Sequence, residues 1–196
     1  MRRALVFCLL LAACGGGEDG GTGAALCGQS SIRGERVGRI SSALPGCGVK
    51  NAVAVHYVAG VRLSSPATLD CTTAKALDTW VRKSVKPAIG NRGGGLRELR
   101  VFGSYSCRPR NNVAGAKVSE HGRGKAIDIG GFRLADGSAI SVLSDWQHGR
   151  PGAILSRLHR KACGPFGTVL GPGSDGYHAD HIHLDTAKHS NGAYCR

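Results

Sequence analysis

Two stretches of the chain place apolar residues at helical spacing. The first predicts a helix over residues 71–86, with Asp70 as its N-cap and Pro87 as its end. The second predicts a helix over residues 151–163, with Pro151 in its first turn. The chain contains 31 glycines and only 5% aromatic residues, so we expect a loop-rich domain around these helices.

The shorter apolar runs predict strands. Their ranges are 49–63, 96–105, 126–134, 138–143, 168–170 and 181–185. The turn at 135–137 is expected to join the third and fourth of these as a hairpin. Central strands with a helix on either side predict an α+β fold, with one small, mainly antiparallel sheet and helices packed on it. We expect this sheet to carry the candidate site described below.

The chain begins with a segment typical of export. A basic start, Met1-Arg2-Arg3, precedes an apolar run that is too short to span a membrane. The run ends in Leu11-Ala12-Ala13-Cys14, which resembles a bacterial lipobox. The resemblance implies a lipoprotein signal peptide at 1–13 and a lipid-bearing Cys14, which would anchor the protein to a membrane. A plain secretory signal with an incidental cysteine is the alternative.

The rest of the chain fits one folded domain. It contains 196 residues, of which 41% are hydrophobic, enough for one core of ordinary size. Residues 14–43 are rich in glycine and then lack periodicity, so they are predicted to be tether and linker. Residues 44–196 are predicted to be the domain. An exported lipoprotein of this kind is expected at the periplasmic face of a bacterial membrane, with the outer membrane favoured.

Export changes how charge and cysteines are interpreted. The formal net charge is +13, but the cations are dispersed and aromatics make up only 5% of the chain. Attraction to an anionic envelope therefore fits better than nucleic-acid binding.

Six cysteines follow Cys14, and an even number in an oxidising compartment indicates disulfides. Cys47 is expected to pair with Cys71, because that loop is short, and Cys27 to be free.

Histidines and carboxylates cluster in two segments. His178, His181 and His183 lie within six residues, and an aspartate follows at position 185. Alternate residues of a strand face the same way, so His181, His183 and that aspartate are expected on one face. Upstream, His121 lies in a glycine-rich turn, and Asp128 lies between two isoleucines, where an unpaired carboxylate is costly. Converging imidazoles and carboxylates predict a zinc site; surface histidines and a structural aspartate are the alternative.

The spacing of these residues resembles that of known families. Ser-x-His-x-x-Gly-x-Ala-x-Asp followed by His-x-His is similar to a zinc peptidase superfamily of D-alanyl-D-alanine metallopeptidases, murein endopeptidases and lysostaphin-type enzymes. The matching residues are Ser119, His121, Gly124, Ala126, Asp128, His181 and His183. Over residues 47–196 the chain resembles the bacterial extensin-like C-terminal domain more closely. The segments that carry this resemblance are 77–80, 103–109, 119–132, 168–172, 181–185 and 194–196.

The superfamily resemblance implies a metal centre. His121, Asp128 and His183 would bind zinc, with water in the fourth position. The base beside that water would be His181, as in endopeptidase-like relatives, or Asp180, at the position of a Glu in dipeptidase-like relatives. We favour His181, because Asp is one methylene shorter than Glu. The donor set would also suit Fe(II).

Other residues have supporting roles in this interpretation. Arg108 would stabilise an oxyanion or dock an acidic peptide end, with a surface salt bridge as the alternative. His178 and Tyr105 would line the substrate cleft, and Ser119 and Glu120 would cap or support the turn. The resulting hypothesis is a zinc-dependent hydrolase, carboxypeptidase-like or endopeptidase-like, that acts on peptidoglycan or its peptides. A non-catalytic zinc lipoprotein that binds the envelope or cell wall is the second hypothesis.

Overall fold

The structure, a computed structural model, describes residues 22–196. The predicted signal peptide at 1–13, the predicted lipidation site Cys14 and the first part of the tether lie outside the described residues. Within residues 22–196, none of the helices has the length and apolar character needed to cross a membrane.

Across residues 22–196, ten strands form one mostly antiparallel sheet. They are β1 Ala24–Leu26, β2 Gln29–Ile40, β3 Val49–Val58, β4 Val61–Leu69, β5 Leu96–Gly103, β6 Ala126–Leu134, β7 Ala139–Ser141, β8 Thr168–Leu170, β9 Ile182–Asp185 and β10 Tyr194–Cys195. Their order is β1-β2-β3-β4-β5-β6-β9-β8-β10, and β7 pairs with β6 beside this path. The pairs β4–β5 and β8–β10 are parallel. The fold is α+β as predicted, with a larger sheet than expected.

Four α-helices accompany the sheet in the described part of the chain. They are α1 Cys71–Trp80, α2 Lys86–Ile89, α3 Val142–Asp145 and α4 Gly149–Ala162. A π-helical turn, Val81–Val85, joins α1 to α2, and 3-10 turns occupy Arg92–Gly94, Arg110–Asn112 and Glu120–Arg123. The two longer helices, α1 and α4, correspond to the two predicted from helical spacing.

The start of α1 agrees with the prediction, but its continuation differs. Asp70 caps α1, since its Oδ1 accepts a hydrogen bond from the Thr73 N–H at 2.7 Å. Pro87 does not end the helical segment, which continues to Ile89. The π-helical turn Val81–Val85 immediately precedes the proline. The Lys86 N–H donates to the Val81 carbonyl, five residues earlier, so the α-helical hydrogen bonds are interrupted just before Pro87, which has no N–H to donate.

Trp80 ties α1 to the sheet and to α4. Its fully buried ring lies 6.2 Å from that of Phe132 and 6.4 Å from that of Phe166, measured between centroids. Its Nε1–H donates to the Leu158 carbonyl of α4 at 3.1 Å. The core therefore lies between the helices and one face of the sheet, leaving the opposite face of β6 and β9 available for polar side chains.

The structure corrects the predicted linker at residues 14–43, because β1 and β2 occupy residues 24–40. Strand β2 pairs antiparallel with β3 and so belongs to the sheet. Leu26 and Ile32 are fully buried, whereas the end of β2 is exposed. Few side chains of this hairpin are buried in the core. The sequence there consequently shows no regular spacing of apolar residues. The folded domain begins near residue 24 rather than 44.

The six described cysteines form three disulfides, as their even number predicted. The pairs are Cys27–Cys71, Cys47–Cys107 and Cys163–Cys195. The expected Cys47–Cys71 pair and the free Cys27 are wrong. Because the β1–β2 hairpin is part of the sheet, its turn places Cys27 beside the first residue of α1. Because Cys71 is paired with Cys27, Cys47 pairs instead with Cys107, which lies in the loop after β5.

Candidate metal centre

Two central strands position two of the three side chains of the site. Strands β6 and β9 are antiparallel, and Asp128 lies opposite His183 in their register. The neighbours of Asp128 in β6 and of His183 in β9 are apolar and fully buried in the core. Alternation of side chains therefore sends Asp128 and His183 to the other face of the sheet, as the sequence predicted.

The third side chain comes from the 3-10 turn Glu120–Arg123. His121 lies in this turn and is 3% exposed. Ser119 caps the turn, since its Oγ accepts from the His121 N–H at 3.4 Å. Gly124 ends the turn with φ +66°, a left-handed conformation that favours glycine. The predicted supporting role of Ser119 is therefore visible as a cap that fixes the turn.

Three ligand atoms converge at one point. His121 Nε2 lies 3.2 Å from His183 Nδ1 and 3.2 Å from Asp128 Oδ2. His183 Nδ1 lies 2.9 Å from Asp128 Oδ1. Ligands of a tetrahedral zinc at about 2.0 Å are separated by about 3.3 Å, so the observed spacing fits such an ion. The structure brings together the three residues predicted as metal ligands, as one possible metal site.

The outer nitrogen of each imidazole has its own acceptor. His121 Nδ1–H donates to the Ser104 carbonyl at 2.6 Å, and His183 Nε2–H donates to Asp185 Oδ2 at 3.1 Å. In the neutral rings these bonds leave a lone pair on each inner nitrogen, directed toward the Asp128 carboxylate. Such outer partners fix the tautomer and orientation of metal-binding histidines. Three electron pairs facing one another favour a cation between them.

The charges at the cluster agree with this geometry. Burial lowers the pKa of His183, but hydrogen bonds to Asp128 and Asp185 outweigh burial and raise it to about 9. Burial raises the pKa of Asp128, but hydrogen bonds from His121 and His183 outweigh burial and hold it well below its usual value. The cluster thus attracts positive charge, which is supplied by a proton on His183 or by a metal ion.

The metal-free protein is expected to lose stability as the pH rises from 6.5 to about 9. Protonated His183 stabilises the fold fully below the pKa of the unfolded chain, and this contribution disappears as the pH passes the folded value. Zinc affinity is expected to rise over the same range, because zinc binds the deprotonated imidazole. Thermal melts in EDTA and zinc titrations across this range measure both trends. A metal-free melting temperature that increased with pH would contradict this electrostatic description.

The cluster lies where two cavities meet. A cavity of about 610 Å³ is lined by all three candidate ligands. A second cavity, of about 440 Å³, shares His121 and Asp128 with the first and is also lined by Tyr105. The candidate metal position is therefore open to ligands from the surface, and Tyr105 faces one side of it.

His181 lies beside the cluster and is oriented by its neighbour. Its Nδ1–H donates to Asp180 Oδ1 at 2.7 Å, which leaves Nε2 facing Asp128 Oδ1 at 3.6 Å. His181 does not belong to the group of ligand atoms that lie within 4.8 Å of one another. Asp180 therefore orients the His181 ring, with Nε2 on the side of the cluster.

His178 and Arg108 both line the larger cavity. His178 Nδ1 lies 2.6 Å from Asp175 Oδ1, and the His178 ring is 5.2 Å from that of His181. Burial lowers the pKa of His178 despite the nearby Asp175 carboxylate. Arg108 is half-buried and forms no ion pair with any residue in the described part of the chain. Its charge therefore stays available to a ligand in either cavity, since it lines both.

Gly103 is a supporting residue that the sequence did not reveal. A Cβ at this position would lie 2.6 Å from Asp128 Oδ2, too close for the carboxylate to keep its place. The signal for Gly103 in the sequence was weak, because glycine is common wherever a strand ends in a turn. Ser104 was missed for a similar reason, since its role is carried by the backbone carbonyl.

Gly103→Ala is expected to weaken zinc binding at least tenfold, roughly the effect of losing a supporting contact to a ligand. The added methyl displaces the Asp128 carboxylate while leaving the three side chains present. Isothermal titration calorimetry with zinc measures the change. Gly176→Ala is the matched control, because nothing lies within 4 Å of a Cβ there. Equal zinc affinities for the two variants would show that Asp128 does not need this close approach.

The fold and site define an α+β domain with a possible His/Asp metal site in an open cavity. The family model described as Extensin-like protein C-terminus matches residues 25–196. The chain belongs to this family, which confirms the extensin-like resemblance seen in the sequence. Comparison with curated proteins and with solved structures gives no match. None of these comparisons links the chain to the zinc metallopeptidases.

Proposed function

We propose that this protein is a zinc-dependent hydrolase that cleaves peptide bonds of peptidoglycan at the bacterial envelope. The observation that carries the proposal is the convergence of His121, Asp128 and His183 in an open cavity, with His181 oriented beside them. A binding site for a structural ion normally supplies a fourth protein ligand. The described residues supply three, so the geometry favours a catalytic centre over a purely structural one.

The donor set fits zinc. Two imidazoles and one carboxylate are common zinc ligands, and both imidazoles have hydrogen-bonded outer nitrogens. Zinc held by these residues would activate a water molecule and polarise the scissile carbonyl. Resemblance of the two sequence motifs to the D-alanyl-D-alanine metallopeptidases and murein endopeptidases supports the same reaction class.

His181 Nε2 is the proposed site of proton transfer. The Asp180 carboxylate holds Nδ1–H, so Nε2 carries the lone pair and faces the cluster. A neutral imidazole placed in this way accepts a proton from the attacking water and returns it to the leaving amine. Arg108, with its free charge on the wall of both cavities, would stabilise the oxyanion or bind an acidic end of the peptide.

Location at the envelope is part of the proposal. The three disulfides suit an oxidising compartment, in agreement with the export signal and lipobox read from residues 1–14. Lipidation of Cys14 would hold the domain at a membrane, with the tether giving it reach toward the wall. The net charge of +13 suits anionic surroundings.

Mass spectrometry of reaction products tests the function. Zinc-loaded protein is incubated with purified peptidoglycan fragments and with peptides that end in D-Ala-D-Ala, and a parallel sample contains EDTA. We expect defined peptide products that disappear with the chelator, and their masses identify the bond cleaved. Tight zinc binding without any product would overturn the proposal in favour of a non-catalytic envelope-binding protein.

A further inference from the structure

A third cavity, of about 620 Å³, lies beside the metal centre and is rich in cations. Its positively charged side chains are Arg110, Lys117, Arg123, Lys125 and Lys188. Its carboxylates are Asp70 and Glu120. We refer to this space as the basic cavity. Its cations outnumber its carboxylates by three, a local excess in a chain whose cations are otherwise dispersed.

The two carboxylates are already engaged. Asp70 Oδ1 accepts from the Thr73 N–H as the cap of α1. Glu120 is 7% exposed and is shared by two guanidinium groups, with Oε1 3.6 Å from Arg110 Nη2 and 3.4 Å from Arg123 Nη1. The three lysines of the basic cavity form no ion pair with any residue between 22 and 196. The positive charge is therefore available to an external anion.

Backbone hydrogen bonds hold the segments that carry these cations. The Lys125 N–H donates to the Glu120 carbonyl at 3.0 Å, and the Lys125 carbonyl accepts from the Thr186 N–H at 3.0 Å. The Arg110 N–H donates to the Lys117 carbonyl at 2.9 Å, which pairs the backbones of these two residues. The backbone of these segments is therefore already ordered and would not have to be ordered by a ligand.

The basic cavity adjoins the cavity of the metal centre. Arg110, Glu120 and His189 line both spaces. The 3-10 turn that carries His121 into the metal centre also carries Glu120 and Arg123 toward the basic cavity. A ligand bound in the basic cavity would therefore lie next to the metal centre.

We propose that the basic cavity binds an acidic peptide segment of the substrate, one with at least two carboxylates, while a neighbouring bond lies at the metal centre. This inference rests on the proposed function, because the basic cavity adjoins the proposed hydrolytic site and shares lining residues with it. Guanidinium forks and lysine ammonium groups are both good partners for carboxylates. A peptide is favoured over a phosphate polymer because the adjoining cavity holds the proposed peptide-cleaving centre.

Calorimetry with matched peptides tests the inference separately from hydrolysis. The metal-free protein is titrated with Ala-Glu-Ala-Glu-Ala and with Ala-Gln-Ala-Gln-Ala, both amidated at the C-terminus, at low and high salt. We expect only the acidic peptide to bind, and we expect its affinity to be lower at high salt than at low salt. The triple variant Lys117→Gln, Lys125→Gln and Lys188→Gln is expected to weaken that binding about tenfold, as two- to threefold losses per exposed charge pair combine.

The matched control is Lys50→Gln, Lys83→Gln and Lys161→Gln. It removes the same charge from exposed lysines that line none of the three cavities. Equal weakening in both triple variants, or equal binding of the two peptides, would overturn the inference. Tighter binding of an oligomeric glycerol phosphate than of the acidic peptide would also overturn it. Carboxylate-dependent binding without any hydrolysis of peptidoglycan would support the cavity assignment and reject the proposed function.

Discussion

His183→Ala is expected to lower bound zinc from about one ion per chain to background and to abolish hydrolysis with it. His183 contributes the nitrogen that faces both Asp128 and His121, at 2.9 and 3.2 Å. The variant also leaves the Asp128 and Asp185 carboxylates without their shared partner. Loss of a buried charged partner costs about 3–5 kcal/mol, so the melting temperature is expected to fall as well.

Two additional proteins separate metal loss from unfolding. Asp128→Asn removes the negative charge of the cluster while conserving volume, and it is expected to lose zinc with a smaller loss of stability. His148→Ala is the matched control, because His148 is exposed and lines none of the three cavities. Zinc is measured by elemental analysis, and folding by the thermal melt. Full zinc retention by folded His183→Ala would exclude this residue as a ligand.

His181→Ala is expected to lower kcat by about 10²- to 10⁴-fold while the protein keeps its zinc, since this is the usual range for loss of a general base. The ring lies beside the cluster and outside the group of converging ligand atoms. Its removal therefore leaves the three ligands and their outer partners in place. Steady-state kinetics on the cleaved peptide, together with the zinc content, measures the effect.

Asp180→Asn distinguishes the base from the residue that orients it. The amide no longer fixes the proton on His181 Nδ1, so we expect a smaller loss of kcat and a shifted pH profile. A larger loss in Asp180→Asn than in His181→Ala would reverse the two roles. Loss of zinc in His181→Ala would instead make His181 a fourth ligand and weaken the case for catalysis.

The sequence predicted those parts of the fold in which a local run or spacing of apolar residues matches their burial. Strand β6 has the bounds expected for it, 126–134, because its residues are almost all buried. Helix α4 was predicted because its apolar residues recur at helical spacing on the buried side. The shared face of Asp128 and His183 followed from the alternation of side chains along two strands.

Features that depend on distant parts of the chain were not predictable from local pattern. Strand β2 is stabilised by pairing with β3 more than by its own apolar residues, so it resembled a linker. The partner of Cys27 depends on where the β1–β2 turn lies beside α1. At the site, the Ser104 carbonyl and the close approach of Gly103 leave no side-chain signal in the sequence.

The pairing of Asp128 with His183 across β6 and β9 also bears on how the sheet finds its native alignment. A slip of one residue between these strands would turn His183 toward the core and Ile182 toward the cavity, since side chains alternate with a period of two. Only the native alignment brings the three donor atoms together. A bound ion would therefore stabilise the native register of β6 and β9 relative to registers shifted by one residue.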